Sequence, residues 1–471
     1  MKEITPRMVA SASRCLHLWY LECHGNPNRR TAAAPRMSGS ENSEEVRRRR
    51  IVEWLPDLAE PVWDGLDPRT AFTHTLDLMK RGRAWIFKGV LAREGMWGQP
   101  DLLRKVEGRS TLGNFSYAPL LVRPRPETLT KRELLELRTH ALLLGTIQGR
   151  RPDRAWAYLG PGEMVEVDLR APAPEFDMLL SDMERIRRGE FSTEGARIAD
   201  CDSCAWRDHC QGLWSDAGHV CLLPGVTPEL VAPLRDAGFS TWTRIADAAP
   251  GDLVSKAGIP ASQALDIWLH ARARRRRAPV LRRRPKFIDD RPIHFVDANF
   301  IGERCFALGT VRFFQGQSRS RQFLARSTTE GNEADIWRAF LEHQARDRES
   351  LLLPWSDADG RRLRLLWDRH GGMTEMARRF REPLPSLRRF VREHFALPVT
   401  AYRLEEVASF FPRRKPIPLP AEETLRETFL TWQETQDRTA LQQLLDNLRE
   451  KLKAMQAIYF SLKLSSLAAA A

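Results

Sequence analysis

The sequence predicts a multidomain protein of the α/β class, and three observations lead to this prediction. The chain has 471 residues, more than one hydrophobic core usually organises, so two or three domains are expected. Hydrophobic residues make up 42% and charged residues 29%, a balance typical of globular rather than disordered chains. Residues 1–216 and 287–471 alternate strand-like and helix-like stretches, whereas residues 217–271 contain short helical stretches between glycine turns.

Composition excludes several other classes of protein. No run approaches the roughly 18 apolar residues of a membrane-spanning helix, and the first 25 residues lack the apolar stretch of a signal peptide. Seven cysteines in so long a chain do not make a secreted disulfide scaffold. We therefore expect a soluble, cytoplasmic protein without a membrane partner.

In the first region, apolar patterns define the elements in chain order. Helices are predicted over 7–21 and 131–148, and strands over 84–91, 116–122 and 155–159. A turn at 98–101 leads into a further apolar stretch. Strands of this kind between helices favour a sheet covered by helices.

A cysteine group closes this region. Cys201, Cys204 and Cys210 follow the spacing C-x2-C-x5-C, so three thiols can face one centre, and a tetrahedral or cubane site needs a fourth ligand. The candidates for that fourth ligand are Cys15, Cys23, Cys221, Cys305 and His209. Free thiols, zinc and an iron–sulphur cluster all remain open, because spacing alone does not separate zinc from iron–sulphur.

Residues 1–215 resemble the RecB-like PD-(D/E)XK nucleases that carry an iron–sulphur cluster. The similar stretches are Ser13 to Glu22 near the N-terminus and Cys201 to Cys210, including Trp206-Arg207. The resemblance implies a restriction-endonuclease-type domain over 1–216. It also implies a [4Fe-4S] cluster on Cys15, Cys201, Cys204 and Cys210 that fastens the two ends of the domain together, with Cys15 preferred to Cys23.

The resemblance also implies a metal-dependent nuclease centre, and here the sequence departs from the family. Asp101 follows Gly98-Gln99-Pro100 and matches the first metal-binding acid, but Leu121 and Arg123 stand where an acid and a lysine are expected. Leucine does not bind a hard cation, and a guanidinium stays charged at any working pH. Glu136 on the following helix is an alternative source of the missing carboxylate. A fold kept for binding rather than cleavage is the expectation, and Mg²⁺ or Mn²⁺ would be required only by an active enzyme.

The positive charge is concentrated in one segment. The formal net charge is +13, and residues 272–286 hold nine cations and no acid. These cations are Arg272, Arg274, Arg275, Arg276, Arg277, Arg282, Arg283, Arg284 and Lys286. Such a block favours an exposed linker, or the exposed end of a helix running into one, and its function would be contact with nucleic-acid phosphates. The alternative is a linker that touches nothing. The run Arg47 to Arg50 is interpreted as a solvated helix face.

Residues 217–271 resemble a helix–hairpin–helix unit, a small helical hairpin domain. The resemblance rests on Leu223-Pro224-Gly225-Val226 and Gly238, with a weaker second copy around Gly258. Such hairpins present backbone N–H groups to a DNA phosphate. A purely structural connector is the alternative.

Residues 287–471 resemble the RNase H-like α/β domain of DEDD-type exonucleases. Strands are predicted at 293–297, 305–311 and 351–353, and one continuous helix over 425–462. The resemblance implies a second metal site with Asp297 on the first strand and Asp437 as the closing acid, and Asp359 is a candidate for the middle acid. Asn299 stands where another carboxylate is expected. An exonuclease site needs about four carboxylates around two ions, so this centre also looks degenerate.

Three functions are therefore in competition. The first is a DNA-binding pseudonuclease of repair, recombination or defence, acting on single- or double-stranded DNA with a helicase or other proteins. The second is an active metal-dependent deoxyribonuclease with relocated acids. The third is a non-catalytic adaptor whose basic segment binds an acidic protein.

Overall fold

The computed structural model describes residues 2–31, 55–62, 67–122, 129–158, 164–288, 290–347, 349–372, 376, 379–380, 382–411, 419 and 422–468. The chain divides into two compact units, Met1–Leu213 and Trp214–Ala471. Both contain helices and sheets, so the predicted α/β class is confirmed. The predicted regions 217–271, 272–286 and 287–471 all fall within the second unit. Across the described residues, no helix is long and apolar enough to span a membrane.

The first unit is built on a mixed sheet whose described strands run in the order β1-β2-β5-β6-β7-β8. Strands β1 and β2 are parallel, as are β6 and β7, and the other neighbours are antiparallel. Strands β3 and β4 form a separate hairpin. The strands are β1 (Leu58–Ala59), β2 (Trp85–Phe87), β3 (Leu91–Arg93), β4 (Met96–Gly98), β5 (Leu102–Ser110), β6 (Gly113–Val122), β7 (Arg154–Tyr158) and β8 (Met164–Asp168).

Helices flank this sheet, and polar side chains cap several of them. Thr130 and Glu133 form a capping box at the start of α4, which satisfies N–H groups that a helix start leaves unpaired. Asp67 caps α3 in the same way with its carboxylate. The helices are α1 (Pro6–Ala12), α2 (Leu16–His24), α3 (Pro68–Lys80), α4 (Lys131–Gln148), α5 (Pro174–Arg187) and α6 (Arg207–Asp216).

Two elements of the first unit differ from the prediction. The helix expected over 7–21 is two helices, because Cys15 has an extended backbone between α1 and α2. The strand expected over 84–91 is broken at Lys88, whose φ of 52° ends β2. Both interruptions lie at residues of a candidate site. The pattern of apolar residues does not report the backbone conformation of a single residue.

The second unit begins with four helices. They are α7 (Pro228–Asp236), α8 (Trp242–Asp247), α9 (Pro250–Ala257) and α10 (Ala261–Arg276). Two glycines in this region have a positive φ, a conformation that is more costly for a residue with a side chain. Gly225 (87°) lies in the turn before α7, and Gly258 (66°) follows the end of α9. The helical character predicted for 217–271 therefore agrees with the structure.

A second mixed sheet follows, with the order β12-β11-β10-β13. Strand β10 is antiparallel to β11 and parallel to β13, and β12 is antiparallel to β11. The short strands β9 and β14 pair separately. These strands are β9 (Val280–Leu281), β10 (Ile293–Ile301), β11 (Arg304–Phe314), β12 (Gln317–Leu324), β13 (Leu351–Pro354) and β14 (Phe395–Ala396).

The helices around the second sheet end in one very long helix. They are α11 (Glu330–Gln344), α12 (Asp357–His370), α13 (Leu387–His394), α14 (Leu404–Phe410), α15 (Glu422–Thr435) and α16 (Arg438–Ala468). The single helix predicted over 425–462 is α15 and α16. Gln436 has a φ of 54° between them, and Asp437 accepts hydrogen bonds from the N–H groups of Thr439 and Ala440, as a residue at a helix start does.

The basic segment is not a free linker along its length. Helix α10 continues to Arg276 and ends at Arg277, which has a left-handed backbone. Two residues of the segment then pair as β9 with β14. Ordered backbone therefore covers much of 272–286, and the apolar Ala273 and Val280 within it are buried and half-buried.

Candidate functional site

The first candidate site gathers three cysteines from two ends of the first unit. Cys15 begins α2, and Cys201 and Cys204 lie about 190 positions further on. Burial raises the pKa of the Cys15 thiol, and the charges of Cys201 and Cys204 raise it further. The three sulphurs therefore lie within electrostatic range of one another. Cys210 lies on α6, three residues after its start.

Backbone N–H groups point at these sulphurs. The N–H of Ile198 donates to Cys201 Sγ at 3.5 Å, and the N–H of Trp206 donates to Cys204 Sγ at 3.4 Å. Hydrogen bonds to sulphur are one of the means by which proteins tune iron–sulphur clusters. The backbone around Cys201 and Cys204 is thus folded so that its N–H groups donate hydrogen bonds to their sulphur atoms.

A clasp of side-chain contacts holds the two cysteine-bearing segments together. Trp206 Nε1 donates to Glu22 Oε1 at 2.9 Å, and Thr31 Oγ1 donates to the carbonyl of Ala205 at 2.8 Å. His17 Nδ1 lies 2.9 Å from Thr193 Oγ1. We refer to residues 14–31 and 193–210 as the clasp. It brings the predicted N-terminal partner to the trailing cysteines.

The other cysteines have different surroundings. Burial raises the pKa of Cys23, and the nearby charges of Lys2 and Arg187 oppose that shift. Cys221 and Cys305 are buried in the second unit. Two alternatives to Cys15 belong to the clasp segments, Cys23 and His209, and the charge of His209 acts on His17.

The donor types of the clasp fit an iron–sulphur cluster, but the side chains do not yet form a coordination sphere. In the part of the chain that the structure describes, no group of three or more His, Cys, Asp or Glu side chains is arranged to hold a metal ion. Cys15, Cys201, Cys204 and Cys210 would be the thiolate ligands. A bound cluster would supply a covalent link across the clasp, and the thiols would move into bonding distance.

The second candidate site surrounds Asp101, at the start of β5. Its carboxylate accepts the backbone N–H of Val122 at 2.9 Å and lies 3.4 Å from Lys88 Nζ. The register of β5 and β6 pairs Leu102 with Leu120, so Leu121 lies across from Asp101. The Leu121 side chain is buried in an apolar cluster with Leu137 on α4. Arg123 lies outside the described residues, as does the run Arg47 to Arg50.

Glu136 lies on α4 and is bound to its own helix. Its Oε1 is 3.1 Å from Arg132 Nε, one turn earlier. The neighbouring Leu137 covers Leu121. The structure thus pairs Glu136 with a cation and packs Leu137 against Leu121.

The third candidate site lies on β10 and α16 in the second unit. Lys451 Nζ is 3.0 Å from Asp297 Oδ2 and 3.2 Å from Asn299 Oδ1. Asn299 Nδ2 also donates to Asp297 Oδ2 at 2.8 Å. All three residues are buried. We call Asp297, Asn299 and Lys451 the lysine cluster.

The charge balance of the lysine cluster follows from its burial. Burial by itself would lower the pKa of Lys451, but Asp297 outweighs it, and the pKa is raised. Asp359 is near enough for its charge to contribute, and burial followed by Asp297 raises the pKa of Asp359. The ammonium group therefore stays charged among carboxylates.

The other two acids predicted for this site have structural roles. Asp359 Oδ2 accepts from Ser356 N at 3.0 Å and from Ser356 Oγ at 2.7 Å, closing the capping box of α12. Asp437 is exposed at the start of α16, fourteen residues before Lys451. At about 1.5 Å per residue this is roughly 20 Å along the helix, so the structure does not bring Asp437 to the lysine cluster.

The residues present do not fit the two-metal site of an exonuclease. Asp297 is the one carboxylate of the lysine cluster, and a lysine cation already binds it. Sequence reasoning missed Lys451. It occurs within the apolar stripe Leu444, Leu448, Leu452 and Met455, all fully buried, and a cation in such a stripe is a sign of a buried acidic partner.

The basic segment divides into arginines that have a partner among the described residues and an exposed set. Arg274 donates to the Leu222 carbonyl at 3.1 Å and to Thr400 Oγ1 at 3.0 Å. Arg282 pairs with Asp266, Arg275 pairs with Asp247, and Arg272 lies over the Trp268 ring. The exposed set has no ion pair within the described part of the chain and consists of Arg276, Arg277, Arg283, Arg284 and Lys286.

Comparison with known proteins adds no relative. No protein-family model matches this chain, and no curated protein matches it.

Proposed function

We propose that this protein is a nucleic-acid-binding pseudonuclease of DNA repair, recombination or defence. In this proposal a RecB-like domain, a helix–hairpin–helix module and an RNase H-like domain hold DNA without cutting it. The observation that carries the proposal is Lys451, whose ammonium group binds Asp297 and Asn299 in the second unit.

An ammonium group can neutralise a carboxylate, but it cannot do the work of a divalent ion. A metal ion in a nuclease binds the phosphate oxygens and lowers the pKa of a bound water. A lysine ammonium offers three N–H donors and no coordination positions. Phosphoryl transfer depends mainly on positioning and on charge stabilisation, so a lysine at this position removes the main source of catalysis.

The centre around Asp101 supports the same proposal. The Asp101 carboxylate already accepts a backbone N–H from Val122 and faces Lys88. Leu121, across the strand pair, offers an apolar side chain in place of an acid. Among the described residues, neither the Asp101 centre nor the lysine cluster thus offers a free set of acids for two metal ions.

Binding to nucleic acid rests on the exposed set of the basic segment. Cations free of ion pairs can contact phosphates and release counterions, which makes binding weaker as salt rises. Arg274 and Arg282 are instead used inside the second unit. We further propose that a [4Fe-4S] cluster on the four cysteines stabilises the clasp.

The first test is a nuclease assay on purified protein with Mg²⁺ or Mn²⁺, on single- and double-stranded DNA. We expect binding without cleavage. Metal-dependent cleavage that Asp101→Ala abolishes would contradict the proposal, and Glu136→Ala would then show whether that residue supplies the missing acid.

The second test neutralises the exposed set of the basic segment by changing its five cations to glutamine. We expect weaker binding to any DNA sequence and a flatter dependence on salt, because phosphate contacts carry no base information. Binding to an acidic protein but not to DNA would favour the adaptor function instead.

A further inference from the structure

A cleft in the second unit is lined by segments that are far apart in the sequence. Its volume is about 380 Å³, and it is bounded by the Pro224-Gly225 turn on one side and by α13 on another. Its cations are Arg282, Arg388, Arg389 and Arg392, and its acids are Asp266, Asp357 and Glu393. We call it the arginine cleft.

Arg282 is held in place within the arginine cleft by two neighbouring side chains. It pairs with Asp266, and its NH2 group donates to His270 Nε2 at 2.7 Å. His270 Nδ1 lies 3.2 Å from the Leu397 carbonyl. A neutral histidine that donates from Nδ1 and accepts at Nε2 satisfies both contacts. The buried Nε of Arg282 has no hydrogen-bond partner among the described residues.

Two further arginines of the cleft have no acidic partner in the described residues. Arg388 and Arg392 lie one turn apart on α13, and Arg392 approaches the Tyr402 ring. Arg389, between them, pairs with Glu393 at 2.9 Å and is also close to Asp357. Two guanidinium groups are thus available to a ligand from the same helix.

The turn opposite leaves room for that ligand. Gly225 has a φ of 87°, and a Cβ at this position would lie 3.4 Å from Asp266 Oδ2, a cleft residue. The absence of a side chain keeps this side of the cleft clear. Four arginines against three carboxylates leave one net positive charge in the cleft, which one phosphodiester group would balance.

We propose that the arginine cleft holds one backbone phosphate of the bound nucleic acid, with Arg388 and Arg392 as its direct ligands and Arg282 as a fixed third cation. This inference rests on the proposed function and adds the position at which the strand is held. Guanidinium groups suit it because their N–H donors form a planar fork that matches two phosphate oxygens.

The test compares three double variants by fluorescence anisotropy on short single-stranded and duplex DNA over a range of salt. Arg388→Gln with Arg392→Gln removes the proposed ligands. Arg388→Lys with Arg392→Lys keeps the charge but not the fork. Arg319→Gln with Arg321→Gln, on the exposed strand β12 of the same unit, removes equal charge elsewhere.

We expect the first pair to weaken binding about tenfold and to lower the salt slope by about one. The lysine pair should recover part of the affinity, and the β12 pair should change it less than about twofold. Equal losses in the cleft and β12 pairs, or no loss in the cleft pair, would overturn the inference while leaving DNA binding intact. Failure of the unmodified protein to bind any DNA would overturn the proposed function itself.

Discussion

At the scale of single residues, the lysine cluster shows how a buried charge is kept. Lys451 and Asp297 are both buried, and each is the other's nearest countercharge. Taking an ion pair out of water costs free energy that the pair repays only with good geometry and further hydrogen bonds. Asn299 supplies those bonds to both partners.

Removal of the lysine should therefore be costly. We expect Lys451→Met to lower the free energy of unfolding by roughly 3–5 kcal/mol, because Asp297 would remain buried without its cation. Urea denaturation of the purified protein measures this change. Lys453→Met is the matched control, since Lys453 lies two residues further on the same helix and is exposed.

The double variant Asp297→Asn with Lys451→Met separates the charge from the packing. It should recover much of the lost stability, because neither partner is then charged. If Lys451→Met were no more destabilising than Lys453→Met, the pair would not stabilise the fold.

A second prediction at this scale concerns pH. Burial lowers the pKa of His294 to about 4, although Asp347 opposes the shift, and His343 and Arg312 act in the same direction as burial. The unfolded chain has a histidine pKa near 6.5. It therefore binds the proton more strongly than the folded chain between these values, and stability should fall as pH drops from about 6.5 to 4.

The expected loss from His294 over that range is on the order of 3 kcal/mol. Because the pKa of His270 is also lowered to about 4, and those of His17 and His343 are lowered as well, His294→Gln should remove part of the pH dependence. Chemical denaturation at a series of pH values measures it. An unchanged slope in the variant would show that His294 titrates normally.

At the scale of helices and strands, residues predicted to bind metal serve as caps. The Asp359 carboxylate accepts two hydrogen bonds from Ser356 at the start of α12. Asp437 starts α16. A carboxylate in an apolar neighbourhood looks alike in sequence whether it binds an ion or a helix start, so the pattern did not separate the two roles.

We expect Ser356→Ala to cost about 1 kcal/mol, because the start of α12 loses its side-chain cap. Ser356→Thr keeps the hydroxyl and should cost less. Thermal unfolding of both variants checks this expectation. A loss as large in the threonine variant would point to packing around the buried Ser356 rather than to capping.

Much of the architecture could be predicted from sequence because apolar periodicity reports burial. The strand at β10, the helix over 131–148 and the helical region 217–271 follow from it. The interruptions at Cys15, Lys88 and Gln436 could not be predicted, since each is a backbone departure at a single residue within a continuous apolar pattern. The arginine cleft was missed because α13 lies about 100 residues after Arg282 in the chain.

At the scale of the whole molecule, the clasp determines how the first unit is closed. Cys15→Ser should lower the iron content of anaerobically purified protein and reduce its thermal stability, because a link across a long loop would be lost. Iron analysis, the visible spectrum and a thermal melt measure the two effects. Cys23→Ser, which changes a thiol on α2 that is not among the four proposed ligands, is the control.

Retention of iron in Cys15→Ser together with loss in Cys23→Ser would reassign the ligand. Absence of iron from both variants and from the unmodified protein, with zinc in its place, would change the metal but not the position of the site. Absence of any metal would leave the clasp to hydrogen bonds alone.

The clasp also determines how late some contacts of α2 can form while the chain is synthesised on the ribosome. Helix α2 makes its hydrogen bonds with residues that emerge much later, Trp19 with Met183 and Glu22 with Trp206. At about 5–20 residues per second, the nascent chain would wait roughly 10–40 s for these partners. Through that interval Trp19 lacks its partner on α5, so the newly made N-terminus keeps part of a large apolar ring exposed.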